Sequence, residues 1–286
     1  MNTLLLTGAA LLPAIILCVY IFKKDRVEKE PLGLLLGLFF LGAFSCFPAA
    51  IFEEIIIGGI KSVFSMFTTN GELEKLPFLL YRIAYYFIGV ALVEEGLKFL
   101  ILKTVTSKNK EFNCLFDGLI YAIFVSLGFA ALENVLYVLE NGWMNALLRA
   151  VLSVPGHMFF AVMMGYNYSM WNITKRAADI EKQLAQAGVI QSVIAFKPKY
   201  LASSIIVPVL AHGFYNFSCT MGNNVAMIVL TLFVLFMYIT CFGRIKKMSA
   251  SDAPNHNYAV ALVTKKYPEF AEYLKNQEKN TQAEAE

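Results

Sequence analysis

The sequence predicts an all-α protein: a polytopic membrane helical bundle of about seven transmembrane helices, with its N-terminus outside and its C-terminus cytoplasmic. Three observations carry this reading. Hydrophobic side chains make up 58% of the 286 residues and charged ones only 16%, which excludes an ordinary soluble domain and a disordered chain. Apolar runs of about 20 residues recur along most of the chain, each long enough to cross about 30 Å of hydrocarbon. Lys and Arg gather in every second connection, the asymmetry that sets membrane orientation.

Residues 3–22 form the first span; no basic residue precedes it and Lys23, Lys24 and Arg26 follow, so it reads as a retained helix and not a cleaved signal peptide. The second span is 32–51. Residues 52–77 read as a connection whose EEIIIGGIKSVFSMF stretch is amphipathic enough to lie in the outer interface as a short helix. The third span, 78–102, is followed by Lys103, Lys108 and Lys110. Spans 116–139 and 147–171 come next, and then a loop with Lys175, Arg176, Lys182, Lys197 and Lys199, in which 177–195 reads as a helix outside the membrane. Spans 200–220 and 225–242 complete the set, and the tail opens with Arg244, Lys246 and Lys247. Residues 1–243 are thus expected to be one membrane domain and 244–286 a polar, partly disordered cytoplasmic tail. The net charge of +3 resides in these connections and does not suggest nucleic acid. None of the five cysteines forms a C-x-x-C pair, so no disulfide or zinc framework is expected.

Within the spans, strongly polar side chains are few: Glu94, Glu95 and Lys98, then Glu133 and Asn134, then His157, then His212 and Asn216. Ionisable groups at bilayer depth cost about 2.5 to 3.5 kcal/mol each on insertion scales and persist where they face a protein interior and do work. Four successive helices each contribute a member, so a bundle interior is where they are expected to meet. Glu94 and Lys98 are four residues apart in the favourable order for a pair. Glu95 lies about 100° round the helix from Glu94, so one carboxylate is expected to be anchored by Lys98 and the other left free as a base. Tyr137 follows Glu133 at i+4, and Asn216 follows His212 at i+4, each placed to orient the titratable group. Glycines 118, 128, 156, 165 and 213 are expected to allow close helix approach. The blander reading is a set of buried pairs that fix helix packing.

The ordered run Glu94-Glu95-x-x-Lys98, Phe129-x-x-x-Glu133-Asn134, His157 with Gly165-Tyr166 downstream, and His212-x-x-x-Asn216 resembles the motif set of the PrsW protease family. That family is similar in its motifs to the wider group of CAAX-type prenyl-protein and bacteriocin-processing endopeptidases. The likeness covers residues 78–217, and this chain departs from the wider group in carrying Glu133 where a histidine is more common. The resemblance implies a multi-pass endopeptidase of the bacterial cell membrane that cuts a single-pass or membrane-associated protein, an anti-sigma factor in the family's case. It also implies Glu94, Glu95 and His212 at the centre of the site, with Glu133 and His157 completing it.

Peptide hydrolysis needs an activated water, a stabiliser for the oxyanion and a proton donor for the leaving amine. Glu94 or Glu95 is the expected base, with Lys98 holding the other carboxylate. One of His157 and His212, backed by Asn216, would polarise the carbonyl, and Glu133 would orient a histidine or share the acid step. No cofactor is required by this scheme, yet His157, His212 and Glu95 could instead hold a zinc ion, since two histidines, a carboxylate and a water form an accepted catalytic sphere. A proton-coupled secondary transporter would also gather Glu, His and Lys at mid-membrane. Against it stand the lack of an inverted repeat and the confinement of polar residues to the middle spans.

Overall fold

The computed structural model describes residues 3–69, 72–73, 75–191 and 199–274. Among these, seven segments are long and apolar enough to cross a membrane. The first is α1 (Thr3–Lys24), which carries an internal Pro13. The second is broken into α2 (Leu32–Phe44) and α3 (Cys46–Ser65) at Ser45, whose hydroxyl bonds back to the Gly42 carbonyl at 2.7 Å. The short helix expected after residue 52 is present as part of α3, which runs without interruption from Cys46 to Ser65. Pro48 stands in the first turn of α3, where proline is tolerated, and the helix carries on past Gly58 and Gly59.

A two-residue hairpin follows, β1 (Thr68–Thr69) against β2 (Glu72–Leu73) in antiparallel register. The third span is then compound: α4 (Lys75–Ile83), π-helical turns over Ala84–Ala91, and α5 (Leu92–Thr106). After a tight basic-side loop come α6 (Asp117–Val151), interrupted at Gly142 by φ 77°, and α7 (Ser153–Gln186). Helices α8 (Lys199–Cys219), α9 (Asn224–Ala250) and α10 (Asn255–Lys266) end the fold.

The first half of α6 is the central rod; Phe116, Leu119, Ile120, Tyr121, Ile123, Val125 and Leu127 are all buried. Helices α1, α2 and α7 pack around it, while leucines and isoleucines of α1, α2, α3 and α9 face outward as a lipid-contacting belt. Backbone approach is extreme at three glycines. A Cβ on Gly42 would lie 2.0 Å from the Val125 carbonyl oxygen, one on Gly128 would lie 1.9 Å from that of Phe39, and one on Gly165 would lie 2.6 Å from that of Gly118. Small residues let membrane helices gain dispersion contact where no hydrophobic drive exists between them. The expected role of Gly118, Gly128, Gly165 and Gly213 holds; Gly156 meets only Phe160 of its own helix, at 3.9 Å.

With 34 residues, α7 reaches about 51 Å at about 1.5 Å per residue, well past the bilayer core. On its projecting end α10 packs through Ala177, Leu184, Ala259, Val263, Tyr267 and Phe270, and Lys266 pairs with the buried Glu181 at 2.5 Å. The helix expected over 177–195 is thus the end of α7, which stops at Gln186; residues 192–198 lie outside the described ones. Helix α9 runs on to Ala250, beyond the expected domain limit at 243. The chain then stitches to the loop before α6, with Leu115 N donating to Ala253 O at 3.1 Å and Asn255 N to Asn113 O at 2.6 Å. Residues 275–286, part of the expected disordered tail, are outside the described ones.

Candidate active site

The π-helical turns set the entrance of the third span into the site. Wider turns of this kind shift the register of the helix beyond them and recur at functional positions. Here they press Phe87 against Gly213, where a Cβ would meet the ring at 2.5 Å, and set Gly89 against Ile57. The next turn carries Glu94, Glu95 and Lys98, buried at 4%, 0% and 0% exposure.

Lys98 Nζ donates to Glu95 Oε1 at 2.8 Å and to Glu94 Oε2 at 2.9 Å. The expectation that only one carboxylate could be anchored is corrected: i+3 and i+4 neighbours both lie within reach of one long side chain. The same ammonium sits 3.2 Å from His157 Nδ1 and 4.0 Å from the Phe129 ring centre. An ammonium has only protons to give. His157 Nδ1 must then accept, its proton resides on Nε2, and that N–H donates to Glu133 Oε2 at 3.0 Å. Both ring nitrogens of His157 are therefore engaged, and its backbone carbonyl accepts from Ser126 Oγ at 2.9 Å.

His212 is disposed differently. Its Nδ1 lies 3.0 Å from Glu95 Oε1, so with an ionised Glu95 this nitrogen carries the proton and donates it. Phe160 stacks on the ring at 4.7 Å and 14°, and the two imidazoles sit edge to face at 5.4 Å. Among the described residues, Nε2 of His212 and Oε1 of Glu94 have no hydrogen-bond partner. Glu95 Oε2 is buried without one.

These groups share a cavity of about 580 Å³ whose wall includes Glu94, Glu133, His157, His212 and Asn216 but not Glu95. Counting along straight helices puts Glu133 and Glu94 at different depths. The structure bridges them by way of His157 and Lys98, so no single point has to hold every group. Asn134 and Tyr137 serve a partner that sequence reasoning left out of the site. Arg149 donates to Glu133 Oε2 at 2.7 Å and to Asn134 Oδ1 at 2.8 Å, and its guanidinium lies 4.2 Å from the Tyr137 ring centre. Asn216 lines the cavity, yet His212 turns its Nδ1 to Glu95 and not to Asn216. Glu53, Tyr85, Tyr86 and Tyr215 also line the wall and were missed. Glu53 and Arg149 were legible as charges inside apolar stretches, IFEEIII and LLRAV, whereas the tyrosines gave no such signal.

Ligand atoms of Glu94, Glu95 and His157 lie within 4.8 Å of one another, close enough to share a metal ion. Lys98 Nζ stands among them, 2.8 to 3.2 Å from each. A divalent ion and an ammonium cannot occupy one place, so this donor set does not fit a metal. In the zinc set expected from sequence, His157 Nδ1 and Glu95 Oε1 both accept from Lys98, which leaves His212 Nε2 as the open nitrogen, so that set meets the same ammonium.

The model of the PrsW family, described as PrsW family intramembrane metalloprotease, matches residues 30–241. Protease PrsW of Oceanobacillus iheyensis is 30% identical over 248 residues, covering 87% of this chain and 98% of the relative. Protease PrsW of Clostridioides difficile is 30% identical over 83% of the chain and 89% of the relative, and Protease PrsW of Bacillus subtilis is 30% identical over 84% and 94%. No solved structure matches. With seven apolar helices around a buried acid and imidazole cluster, the chain belongs to the PrsW family and is a multi-pass intramembrane endopeptidase of the bacterial membrane.

Proposed function

We propose that Glu94 is the general base of this endopeptidase and that Glu95 acts one step behind it, by orienting His212. The observation that carries this is the division of labour at the cavity wall. Glu94 and His212 each face the cavity with one polar atom tied and one free, while Glu95 is wholly buried and spends Oε1 on Lys98 and His212. In the reaction, Glu94 takes a proton from water as the water oxygen attacks the peptide carbonyl carbon. The oxyanion is met by the Asn216 amide N–H and by His212 Nε2–H, the imidazole having taken that proton from solvent in the cavity before attack. Collapse breaks the C–N bond, and Glu94 returns the proton to the leaving amine. Lys98 supplies the fixed positive charge that lets two carboxylates sit side by side in a low-dielectric interior. Glu133 and His157 brace that ammonium from the other side.

The family's description names a metal, but Lys98 fills the place a metal would take and no step runs through one. The substrate is a membrane-bound protein, and the finer candidate, implied by the resemblance, is an anti-sigma factor. Lys and Arg in alternate connections support an N-terminus outside the cell and a cytoplasmic tail docked on α7. In that orientation the part of the cavity wall made by the segment before α7 and the end of α8 lies toward the extracytoplasmic side. The three relatives are named as proteases, and the transporter reading has no support.

The test compares membrane proteomes of cells carrying wild-type protein, Glu94→Ala or His212→Ala. One membrane protein should accumulate uncut in both variants. Normal processing in both, with the variants inserted at wild-type level, refutes the assignment.

A further inference from the structure

Arg149 belongs to none of the motifs read in the sequence. It sits in the stretch between the Gly142 break and α7, and its side chain reaches inward until only 15% is exposed. Three contacts fix the guanidinium there: Glu133 Oε2 at 2.7 Å, Asn134 Oδ1 at 2.8 Å and the face of Tyr137 at 4.2 Å. Asn134 is itself immobilised, since its Nδ2 donates to the Ala10 carbonyl of α1 at 2.7 Å. The amide thus has its oxygen aimed at Arg149 by a bond to a neighbouring helix.

Glu133 Oε2 accepts from two donors at once, Arg149 Nη2 and His157 Nε2. A carboxylate on the wall of an open cavity, 21% exposed, is free to turn about its terminal bonds unless something pins it. His157 alone offers one neutral N–H. The charged, planar guanidinium, held at two further points, is the stronger anchor.

We propose that Arg149 is a positioning residue of the protease: it clamps Glu133 so that His157 keeps its Nε2–H tautomer and its ring orientation, and through His157 it fixes the Lys98 ammonium between Glu94 and Glu95. The polar chain then runs unbroken from the Ala10 carbonyl through Asn134, Arg149, Glu133, His157 and Lys98 to Glu95 and His212. The consequence for turnover rests on the roles proposed for Glu94 and His212; the consequence for the His157 proton does not.

The test uses the full chain in detergent micelles with 15N-labelled histidine, where three histidines make assignment by single substitution direct. In the wild type, His157 Nε2 should show a slowly exchanging N–H and Nδ1 should be unprotonated. In Arg149→Met, the Nε2–H signal should broaden or vanish through exchange with water while His256 is unchanged. Millimolar guanidinium ion should restore it, and Arg149→Lys should restore it in part. Cleavage of the accumulating membrane protein should slow in Arg149→Met by up to about 100-fold in kcat with KM little changed, as for a displaced catalytic group. An unaltered His157 signal in a folded Arg149→Met protein overturns the proposal, as does a loss that guanidinium never rescues. A changed signal with unchanged turnover keeps the clamp and overturns instead the catalytic reading of the site.

Discussion

Replacing Glu95 by Gln separates an orienting carboxylate from a reacting one. Glu95 Oε1 accepts from Lys98 Nζ at 2.8 Å and from His212 Nδ1 at 3.0 Å. Hydrogen bonds to an ionised acceptor contribute roughly 1.5 to 3 kcal/mol and neutral ones about 0.5 to 1.5, so each bond weakens by about 1 kcal/mol on neutralisation. Two bonds give about 2 kcal/mol, or about 30-fold in rate at about 1.36 kcal/mol per decade. The new amide NH2 has no good place. On the Oε2 side it is buried without an acceptor, and on the Oε1 side it faces two donors. Loss of the orienting charge behind an imidazole costs about 10⁴-fold in serine protease triads, so kcat should fall between about 30-fold and about 10⁴-fold. KM should hold, because Glu95 is absent from the cavity wall. Initial rates in proteoliposomes, on the membrane protein that accumulates in the Glu94→Ala strain, give both constants. A Glu95→Gln enzyme turning over within about threefold of wild type would refute the reasoning.

Three further outcomes are expected. Chelators such as EDTA and 1,10-phenanthroline should leave cleavage intact, because Lys98 fills the centre of the Glu94, Glu95 and His157 donor set; stoichiometric zinc on elemental analysis, lost together with activity, would contradict this. Gly128→Ala should cost about 1 to 3 kcal/mol or more, since its Cβ would lie 1.9 Å from a backbone oxygen, whereas Gly58→Ala, with open space around it, should be silent in thermal melts. Burial on the basic face holds the Glu30 carboxyl up at about 7 from the ordinary 4.5, so the folded chain keeps a proton that the unfolded one releases. That stability is complete below the lower value and is lost as pH rises through the higher one, so the melting temperature should decline from about pH 5 to about pH 8. Glu30→Gln should flatten the slope; an unchanged slope would assign the dependence to other groups.

Seven spans and the convergence of Glu94, Glu95, Lys98, Glu133, His157 and His212 were legible because apolar length and misplaced charge are properties of the sequence itself. What escaped depends on the third dimension. The joint capture of both carboxylates by Lys98 needed the side-chain reach, not only the helical angle. Arg149 was overlooked because LLRAV reads as the apolar start of the span at 147, and only the fold shows its side chain turned onto Glu133. Glu53 was assigned to a connection because Glu53 and Glu54 interrupt the apolar run, whereas the helix carries both and one span runs from Leu32 to Ser65 through the Ser45 break.

Where glycine carbonyl knuckles lock α2, α6 and α7 at backbone distance, the scaffold has almost no slack, and sliding by even a fraction of an ångström would collide main chain with main chain. The opposite flank is built otherwise, from α3 beyond the Ser45 break, over-wide π turns and a phenylalanine resting on Gly213. Side-chain contacts such as Phe87 on Gly213 and Ile57 on Gly89 can yield where main-chain ones cannot, so admission of a polypeptide falls to that flank, and the enzyme resembles a jaw with one fixed plate. Evolution could retune which membrane proteins are admitted by editing that flank, while the anchored plate continues to hold the hydrolytic groups in register.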